Sequence, residues 1–281
     1  MVASAGIPIV LMAAGASGGH VFPALATAEA LRDRGIETVF VLGGGKFNKV
    51  VEDAGFTVEQ LPARPWADRG VMAKVQTVLT LFKAYLKAQK LVRKYAPVAA
   101  FGTGGYATVA LVMAAKANKI PTMIHEQNAV PGRANHFLST FVDKIAASFG
   151  AVAPHFGKAA DKVVETGNPL RKAALAKATA DFPPEPPFNL MILGGSLGAE
   201  FLSTIIPSAL GHLSEGKLVK LNITHQARPE NVETVQKAYR ALGATYEVSS
   251  FFDDLPERLA KAHLIISRAG ASAITEFALY G

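Results

Sequence analysis

Two short segments carry the side chains best suited to proton transfer. His20 directly follows the glycine-rich stretch Gly15–Gly19, and His125 precedes Glu126 and Asn128. An imidazole titrates near neutral pH, and a glycine-rich turn at the start of a helix exposes backbone N–H groups that attract anions. His20 is therefore a candidate either for a general base or for a ligand of a phosphate group, and the sequence leaves both roles open. Glu126 is the reserve candidate for the base.

A second glycine-rich turn lies in the other half of the chain. Gly194–Gly198 contains Ser196, just as the first turn contains Ser17 beside Gly18 and Gly19. Neither turn matches the strict dinucleotide fingerprint, and any tight connection from strand to helix also favours glycine. Two such turns, each followed by a helical pattern, predict a ligand that carries phosphate groups.

Other charged side chains indicate how such a ligand is held. Arg171 follows Gly167-Asn-Pro-Leu170, and its guanidinium has the fork of donors that suits phosphate oxygens. Asp253 and Asp254 are adjacent and would not converge on a cation, and the chain has neither an Asp-x-Asp pair nor a cysteine. We therefore expect no metal and no cofactor, and disulfides and thiol catalysis are excluded.

The elements that must position these residues repeat four times. An apolar run leads into a turn and then a helical pattern in Ile7–Arg34, Val98–Ala117, Asn189–Leu213 and His263–Leu279. Short apolar runs that alternate with helices are typical of parallel sheets covered on both faces, and such sheets bind ligands where their strands end. The sequence predicts an α/β protein with Rossmann-like, doubly wound domains.

A proline-rich stretch, Asp181–Phe188, separates the first two repeats from the last two. Its four prolines in eight residues cannot continue a helix or a central strand, which favours a linker. We place an N-terminal domain at residues 1–166, the linker at 167–187 and a C-terminal domain at 188–281. The last is shorter than the usual ~100–150 residues of such a domain. Its final helical pattern runs to the end of the sequence, so we expect a C-terminally truncated second domain.

The net charge is concentrated in one segment. The 281 residues include 29 Lys+Arg and 22 Asp+Glu, a net charge of +7, and residues 64–94 contain eight of the basic side chains and one acid. Within this segment Val71–Lys94 has a helical period, which predicts an amphipathic basic helix. Its apolar members are Val71, Val75, Val78, Phe82 and Tyr85, and its lysine stripe is Lys83, Lys87, Lys90 and Lys94.

Three interpretations of the Val71–Lys94 helix differ in what its faces contact. One is a core helix with a solvated lysine face, and another is a surface that lies on anionic lipid. A nucleic-acid contact is the third, but no recognised nucleic-acid module accompanies the segment, so we expect no nucleic-acid partner. Two uncharged stretches, Ile7–Ala14 and Pro97–Ala115, are interpreted as buried strand, turn and helix in a cytoplasmic protein, because glycine-rich turns interrupt them.

A series of short motifs covers the chain from end to end in the order of one known family. They are Gly18-Gly-His-Val-Phe-Pro23, Gly104-Gly-Tyr106, His125-Glu-Gln-Asn128, Gly167-Asn-Pro-Leu-Arg171, Gly194-Gly-Ser-Leu-Gly-Ala199, His225-Gln226, Phe252-Asp-Asp254 and Ser267–Glu276. On these motifs the chain resembles the MurG family of bacterial glycosyltransferases. The resemblance implies the GT-B fold, two Rossmann-like domains that face a cleft.

The resemblance also implies an activity and its partners. The reaction is an inverting transfer of N-acetylglucosamine from UDP-N-acetylglucosamine to an undecaprenyl-diphosphate-linked N-acetylmuramyl-pentapeptide in peptidoglycan synthesis. A lipid-linked acceptor favours the anionic-lipid interpretation of the Val71–Lys94 helix, with the protein peripheral on the cytoplasmic face of the bacterial inner membrane. The alternatives are another GT-B enzyme, such as a UDP-N-acetylglucosamine 2-epimerase or a glycolipid synthase, and an inactive nucleotide-sugar-binding fragment.

The resemblance assigns roles to individual residues. It points to His20 as the base, to Asn128 as a sugar ligand and to Glu276 as the acceptor of both ribose hydroxyls. Arg171 and Ser196 are expected to hold the leaving diphosphate. The remaining ligand candidates are Ser17, Gly18, Gly19, Phe252, Ala271, Ser272, Ala273, Ile274 and Thr275. Phe252 fits an ordinary core position equally well.

The chain departs from the family pattern in two places. The first turn reads Gly15-Ala-Ser-Gly-Gly-His20 where the family commonly has Gly-Gly-Thr-Gly-Gly-His, so Ser17 provides the hydroxyl. The family's glutamine-containing stretch, which contacts the donor sugar, would follow Gly281. Part of the donor site is therefore expected to be missing from this sequence.

Overall fold

The chain folds into two compact units, Met1–Arg171 and Lys172–Gly281, in a computed structural model. Residues 6–45, 47–62, 71–178, 186–194 and 199–280 are described, residues 71–74, 173 and 177 by their backbone alone. Each unit contains one parallel sheet with helices packed against it. The α/β, doubly wound fold predicted from the four repeats is confirmed.

The first unit is built on a seven-stranded sheet with the order β3-β2-β1-β4-β5-β6-β7. All neighbouring strands are parallel. The strands are β1 (Ile9–Ala14), β2 (Glu37–Leu42), β3 (Thr57–Gln60), β4 (Ala99–Gly102), β5 (Thr122–Glu126), β6 (Lys144–Ala147) and β7 (Val163–Glu165). The central strands β1 and β2 are nearly continuous apolar runs because both of their faces are covered.

Helices cover both faces of this sheet. They are α1 (Gly18–Arg32), α2 (Phe47–Asp53), α3 (Val71–Tyr95), α4 (Tyr106–Ala117) and α5 (Arg133–Leu138), followed by a 3-10 segment at Gly150–Lys162. On one face α1 and α2 bury Phe40 and its neighbours, and on the other α3 and α4 bury Leu11 and Leu111. A further cluster around Leu138 and Ile145 packs α5 against the sheet.

The second unit has a four-stranded parallel sheet in the order β10-β9-β8-β11. Its strands are β8 (Phe188–Leu193), β9 (Leu221–Gln226), β10 (Thr245–Ser249) and β11 (Leu264–Ser267). Its helices are α6 (Lys172–Lys177), α7 (Glu200–Leu210), α8 (Glu215–Leu218), α9 (Val232–Ala241), α10 (Leu255–Leu259) and α11 (Ala271–Phe277). One face buries Ile192 and Tyr239, and the other buries Met191 and Leu259.

Strand order explains where each unit can bind a ligand. In the first sheet Ala13 of β1 pairs with Gly102 of β4, and in the second Leu193 of β8 pairs with Ser267 of β11. The chain leaves the sheet in opposite directions from the two members of each pair, which opens a crevice at their carboxyl ends. The glycine-rich turns that follow β1 and β4 start at the first of these crevices, and Gly194, directly after β8, lies at the second.

The boundary between the units falls inside the predicted linker. The segment 167–171 belongs to the first unit, and α6 belongs to the second, where it packs against α10. Tyr280 Oη also donates a hydrogen bond to the carbonyl of Ala174, 3.2 Å away. Part of the predicted linker is therefore a helix of the second unit, and residues 179–185, which include Pro183 and Pro184, lie outside the described residues.

The predicted basic helix is present as α3, but it packs through small residues. Ala84 and Ala88 are buried against α4, with Leu91 and Val92 beyond them. Five other large apolar side chains of α3 are exposed, and we call them the α3 apolar stripe: Val75, Val78, Leu79, Phe82 and Leu86. Among the described helices none combines the length and the apolar character needed to cross a bilayer.

Candidate active site

Three strand ends of the first unit meet at one pocket of about 530 Å³. The first turn of α1, which follows β1, contributes His20, the turn after β4 contributes Gly104 and Gly105, and the end of β5 contributes Glu126. Tyr106, Val109, Asn128, Asn135, Leu81 and Phe137 are among the other lining residues. The structure thus brings His20 from the first candidate segment together with Glu126 and Asn128 from the second.

The first two turns touch each other through backbone atoms. A Cβ placed on Gly105 would lie 2.6 Å from Gly15 Cα, and a Cβ on Gly15 would lie 2.7 Å from His20 Nδ1. Gly105 also has a φ of 86°, in the left-handed region that favours glycine. Glycine at these positions lets the starts of α1 and α4 approach closely, so that two positive helix ends lie side by side.

His20 is held in place by a hydroxyl. Ser17 Oγ lies 2.8 Å from His20 Nδ1, and the side chain of Thr103 donates a hydrogen bond to the His20 carbonyl at 2.8 Å. The other ring nitrogen, Nε2, lies on the Gly104 side, 3.0 Å from where a Cβ of Gly104 would be. Burial lowers the pKa of His20, and the charge of Glu126 opposes that shift. The imidazole is therefore neutral at neutral pH and able to accept a proton.

Glu126 is buried, with 1% of its surface exposed, and its carboxylate is fully engaged. Oε1 accepts hydrogen bonds from the backbone and side-chain amides of Asn128, at 2.9 and 3.0 Å. Oε2 accepts from the backbone N–H of Gly132 at 3.0 Å and from Asn135 Nδ2 at 2.8 Å. Four donors occupy the two carboxylate oxygens, so this geometry favours a positioning role for Glu126 over the reserve role of base.

Asn135 is a site residue that the sequence analysis missed. It lies on the short helix α5, is 2% exposed, and donates both to Glu126 and to the carbonyl of His125. Its Oδ1 atom is buried and has no hydrogen-bond partner among the described residues. That oxygen lies 3.6 Å from the Cβ position of Gly104, the same point that His20 Nε2 approaches. No motif in a single sequence marks such an asparagine.

His125 ties β5 to the segment that follows β7. Its Nε2 donates to the carbonyl of Gly167 at 3.1 Å, and its Nδ1 accepts from Gln127 Nε2 at 3.1 Å. Burial lowers its pKa, which the Gly167 hydrogen bond partly offsets. Both ring nitrogens are engaged in a neutral ring, so His125 is suited to hold the loop that carries Glu126 and Asn128.

Arg171 lies at the end of the first unit and stacks on α1. Its guanidinium carbon is 4.5 Å from the centre of the Phe22 ring. Phe22 in turn packs next to Gly18, where a Cβ would lie 3.0 Å from the ring. Stacking fixes the plane of the guanidinium, and its N–H donors point outward within that plane.

The donor residues predicted in the second unit are only partly described. Ser196 lies outside the described residues. Ala271, Ser272, Ala273, Ile274 and Thr275 form the start of α11, directly after β11, and Glu276 follows them on the same helix. Phe252 is 7% exposed and carries the Arg258 guanidinium 4.4 Å above its ring. All of these residues follow the carboxyl ends of strands, where the fold places ligands.

Two Rossmann-like parallel-sheet domains, with glycine-rich turns at their crevices, define the GT-B class of transferases. The model of the glycosyltransferase family 28 N-terminal domain matches residues 9–147, and that of its C-terminal domain matches residues 189–281. The chain belongs to glycosyltransferase family 28. It is an enzyme of the hexosyl-transferring kind, as the resemblance implied.

Curated relatives and solved structures agree with this membership. The UDP-N-acetylglucosamine--N-acetylmuramyl-(pentapeptide) pyrophosphoryl-undecaprenol N-acetylglucosamine transferase of Paramagnetospirillum magneticum is 41% identical over 98% of this chain and 75% of its own length. The enzyme of the same name from Methylorubrum extorquens is 40% identical over 98% and 75%. The crystal structure of Acinetobacter baumannii MurG has a TM-score of 0.72 and 33% identity, covering 96% of this chain and 76% of that one.

A nucleotide-sugar epimerase shares the fold. The UDP-GlcNAc 2-epimerase of Neisseria meningitidis, solved with UDP-GlcNAc bound, has a TM-score of 0.66 at 13% identity over 93% of this chain and 78% of that one. At that identity the likeness shows the architecture alone. The family models and the solved structures therefore both confirm the expected GT-B fold. The relatives at about 40% identity are transferases, and they favour a transferase over an epimerase.

Proposed function

We propose that this chain transfers N-acetylglucosamine from UDP-N-acetylglucosamine, with inversion, to a muramyl-pentapeptide carried on undecaprenyl diphosphate. One observation carries the proposal for the acceptor side. A neutral, half-buried imidazole, oriented by Ser17, lies beside two helix starts in a pocket of about 530 Å³. The names of the curated relatives supply the two substrates.

His20 is the group placed to take the proton. With Nδ1–H donating to Ser17 Oγ, the Nε2 atom carries the lone pair and accepts the proton of the attacking sugar hydroxyl. That hydroxyl oxygen forms the new bond to the anomeric carbon as the bond from that carbon to the diphosphate oxygen breaks. UDP leaves with the bonding electrons. Glu126 nearby stabilises the imidazolium that forms, because its charge raises the pKa of His20.

The acceptor diphosphate fits the paired helix starts. Gly18 and Gly19 open α1, and Gly105 precedes the first residue of α4. Backbone N–H groups and the positive ends of two helices favour a dianionic ligand there, and Arg133 adds a cationic side chain to the pocket lining. Asn128 and Asn135 then flank the acceptor sugar, and the buried Oδ1 of Asn135 provides an acceptor for one of its donors.

The donor is assigned to the second unit by the family resemblance. Glu276 would accept the ribose hydroxyls, Ala271–Thr275 would contact the diphosphate with backbone groups, and Ser196 would add a hydroxyl. Arg171, whose plane is fixed by Phe22, would neutralise charge on the departing diphosphate. Negative charge builds up on the diphosphate as UDP leaves, so the guanidinium binds the transition state more tightly than the ground state. That difference in binding raises the rate of transfer.

The membrane contact is assigned to α3. At 100° per residue, the exposed lysines Lys83, Lys87 and Lys90 lie beside the α3 apolar stripe on the helix surface. An apolar face flanked by lysines is suited to the interface of an anionic bilayer. Lys94 differs from the other three, because it forms an ion pair with Glu59 at 2.7 Å. The lipid-linked acceptor would reach the pocket from this side.

The test is a transfer assay with the purified chain. UDP-N-acetylglucosamine labelled in the sugar is mixed with a water-soluble, lipid-linked muramyl-pentapeptide, and the anomeric configuration of the product is read by NMR. We expect transfer with inversion, and a loss of about 10²–10⁴-fold in kcat in His20→Ala, which removes the base. Calorimetric binding of UDP should be unchanged in that variant, since His20 is placed on the acceptor side.

The same mixture without acceptor separates the alternatives. Formation of an epimerised nucleotide sugar would identify an epimerase and overturn the proposal. UDP binding without any turnover, even after acceptor is added back at increasing concentration, would identify a nucleotide-sugar-binding fragment. Transfer at the parental rate in His20→Ala would leave the transferase in place and remove His20 from the role of base.

A further inference from the structure

A second apolar groove, of about 570 Å³, runs between α3 and α4. One wall is a single face of α4, formed by Val109, Met113 and Ala117 with Ala110 and Lys116. The other wall is a single face of α3, formed by Val78, Phe82 and Tyr85 with Leu81. The eight residue-to-residue steps of helix from Val109 to Ala117 make the groove about 12 Å long at 1.5 Å per residue.

The groove is continuous with the candidate active site. Leu81, Val109 and Phe137 line both the groove and the pocket that contains His20 and Glu126. α4 begins at the active-site end and runs away from it, so the groove starts beside the proposed diphosphate position. Its far end reaches Lys116 and Ala117, at the last turn of α4.

We infer that this groove binds the first isoprene units of the acceptor's lipid chain, so that the enzyme recognises part of the lipid as well as the diphosphate and sugar. The inference rests on the proposed function, which places a prenyl diphosphate at the start of the groove. A chain that leaves the diphosphate beside α4 enters directly between Leu81 and Val109. The lining is aliphatic and aromatic apart from Lys116, whose ammonium pairs with Asp143 at the surface.

This subsite shares only part of its surface with the membrane contact of α3. Within the α3 apolar stripe, Val78 and Phe82 line the groove, whereas Leu79 and Leu86 do not. A bilayer would cover the whole stripe, but a single chain bound in the groove touches only the groove side. Contact with a bilayer would therefore involve both Val78 and Leu79, whereas a single lipid chain in the groove would involve Val78 alone.

The experiment measures binding of short, soluble prenyl diphosphates, below their aggregation concentrations and without any membrane. Methyl, dimethylallyl, geranyl and farnesyl diphosphates are titrated into the chain by calorimetry. We expect affinity to rise by on the order of tenfold from dimethylallyl to geranyl diphosphate, because the added carbons leave water. Equal affinity across the whole series would overturn the subsite.

Two adjacent substitutions form a matched pair. Val78 and Leu79 are each 55% exposed on α3, so an aspartate at either position is compatible with folding, as a thermal unfolding scan would verify. Val78→Asp should lose the gain in affinity for geranyl and farnesyl diphosphates and keep the affinity for methyl diphosphate. Leu79→Asp should keep the whole series. An equal loss in both variants would indicate a general apolar surface and contradict the groove.

A third substitution measures the length of the site. Ala117 is exposed at the far end, and Ala117→Trp should shorten the groove, so that farnesyl diphosphate binds no better than geranyl diphosphate. An undiminished farnesyl gain would place the chain elsewhere. Chain-length-dependent binding without sugar transfer would preserve the groove and refute the proposed function, whereas transfer without chain-length dependence would do the reverse.

Discussion

At the scale of single residues, the orientation of one imidazole determines whether the proposed base can work. A neutral histidine offers a lone pair on only one of its nitrogens, and the partner of the other nitrogen decides which. In this chain that partner is Ser17, 2.8 Å from His20 Nδ1. The family resemblance implies threonine at this position, and serine provides the same hydroxyl without the methyl group.

Removing that hydroxyl gives the first prediction. Ser17→Ala should lower kcat by roughly tenfold, a fraction of a full general-base contribution, because Nε2 is then no longer kept as the unprotonated nitrogen. The KM for UDP-N-acetylglucosamine should not change. Steady-state kinetics with both substrates varied measure the two effects separately. Ser17→Thr is the matched control and should restore kcat; a threonine variant as slow as the alanine variant would show that Ser17 acts by another route.

At the scale of elements, the contact between two glycine-rich turns defines the floor of the pocket. Gly105→Ala would place a Cβ 2.6 Å from the backbone of Gly15 at a φ of 86°, so the two turns must separate. We expect a loss of about 2–4 kcal/mol in the free energy of unfolding of the first unit, measured in urea. Gly19→Ala is the control, since its Cβ would meet no atom within 4 Å.

The Gly19→Ala control also tests where the acceptor diphosphate binds. Gly19→Ala should leave the stability nearly unchanged and weaken the binding of methyl diphosphate, because only a bound anion would approach that side of α1. Retained diphosphate affinity in a fully stable Gly19→Ala variant would move the acceptor diphosphate away from the start of α1. An equally stable Gly105→Ala variant would contradict the close contact of the turns.

The lysines of α3 give a third prediction. The triple variant Lys83→Gln, Lys87→Gln and Lys90→Gln should weaken binding to anionic vesicles by about 1 kcal/mol per lysine and leave binding to neutral vesicles unchanged. Co-sedimentation at two salt concentrations measures both. A triple glutamine variant of Lys158, Lys217 and Lys220, which are exposed elsewhere, has the same net charge. If the two triple variants lost the same affinity for anionic vesicles, the effect would come from net charge and not from the position of the lysines on α3.

The same helix shows what could and could not be predicted from the sequence. The period of Val71–Lys94 and its lysine stripe predicted a basic helix, and α3 confirms it. The buried face was not predictable, because the largest apolar residues, such as Phe82, are exposed while Ala84 and Ala88 pack against α4. Close helix packing selects small side chains, and hydrophobic size alone points to the wrong face.

Some residues of the candidate site could likewise be predicted from the sequence, and one could not. His20 and Glu126 lie beside glycines or in motifs at strand ends, so their types and positions pointed to the pocket before any fold was known. Asn135 reaches the same pocket from the middle of a short helix, where an asparagine carries no chemical signal until its partners, Glu126 and the His125 carbonyl, are seen. The tertiary contact between α5 and β5 creates its role.

At the scale of the whole molecule, both units bury neutral histidines. Burial lowers the pKa of His20 and His125 in the first unit and that of His225 to about 4 in the second. His225 is fully buried, and its Nδ1 lies 2.8 Å from the hydroxyl of Tyr239. Below pH ~6.5 the unfolded chain binds a proton at such a residue and the folded chain does not. Acid therefore favours unfolding, and stability rises with pH through this window.

The size of this effect in the second unit is the last prediction. Between pH 7 and pH 5 the His225 contribution to the free energy of unfolding should fall by roughly 2 kcal/mol, since proton uptake by the unfolded chain is unmatched over that range. Hydrogen exchange of the β9 amides in urea at the two pH values measures this change locally, as a change in the opening free energy of those amides.

His225→Gln should remove most of the pH dependence, because glutamine does not titrate and its oxygen can still accept from Tyr239. His212→Gln, at an exposed histidine of the same unit, should leave it intact. A pH dependence that survives in His225→Gln would assign the acid sensitivity of this unit to its carboxylates instead.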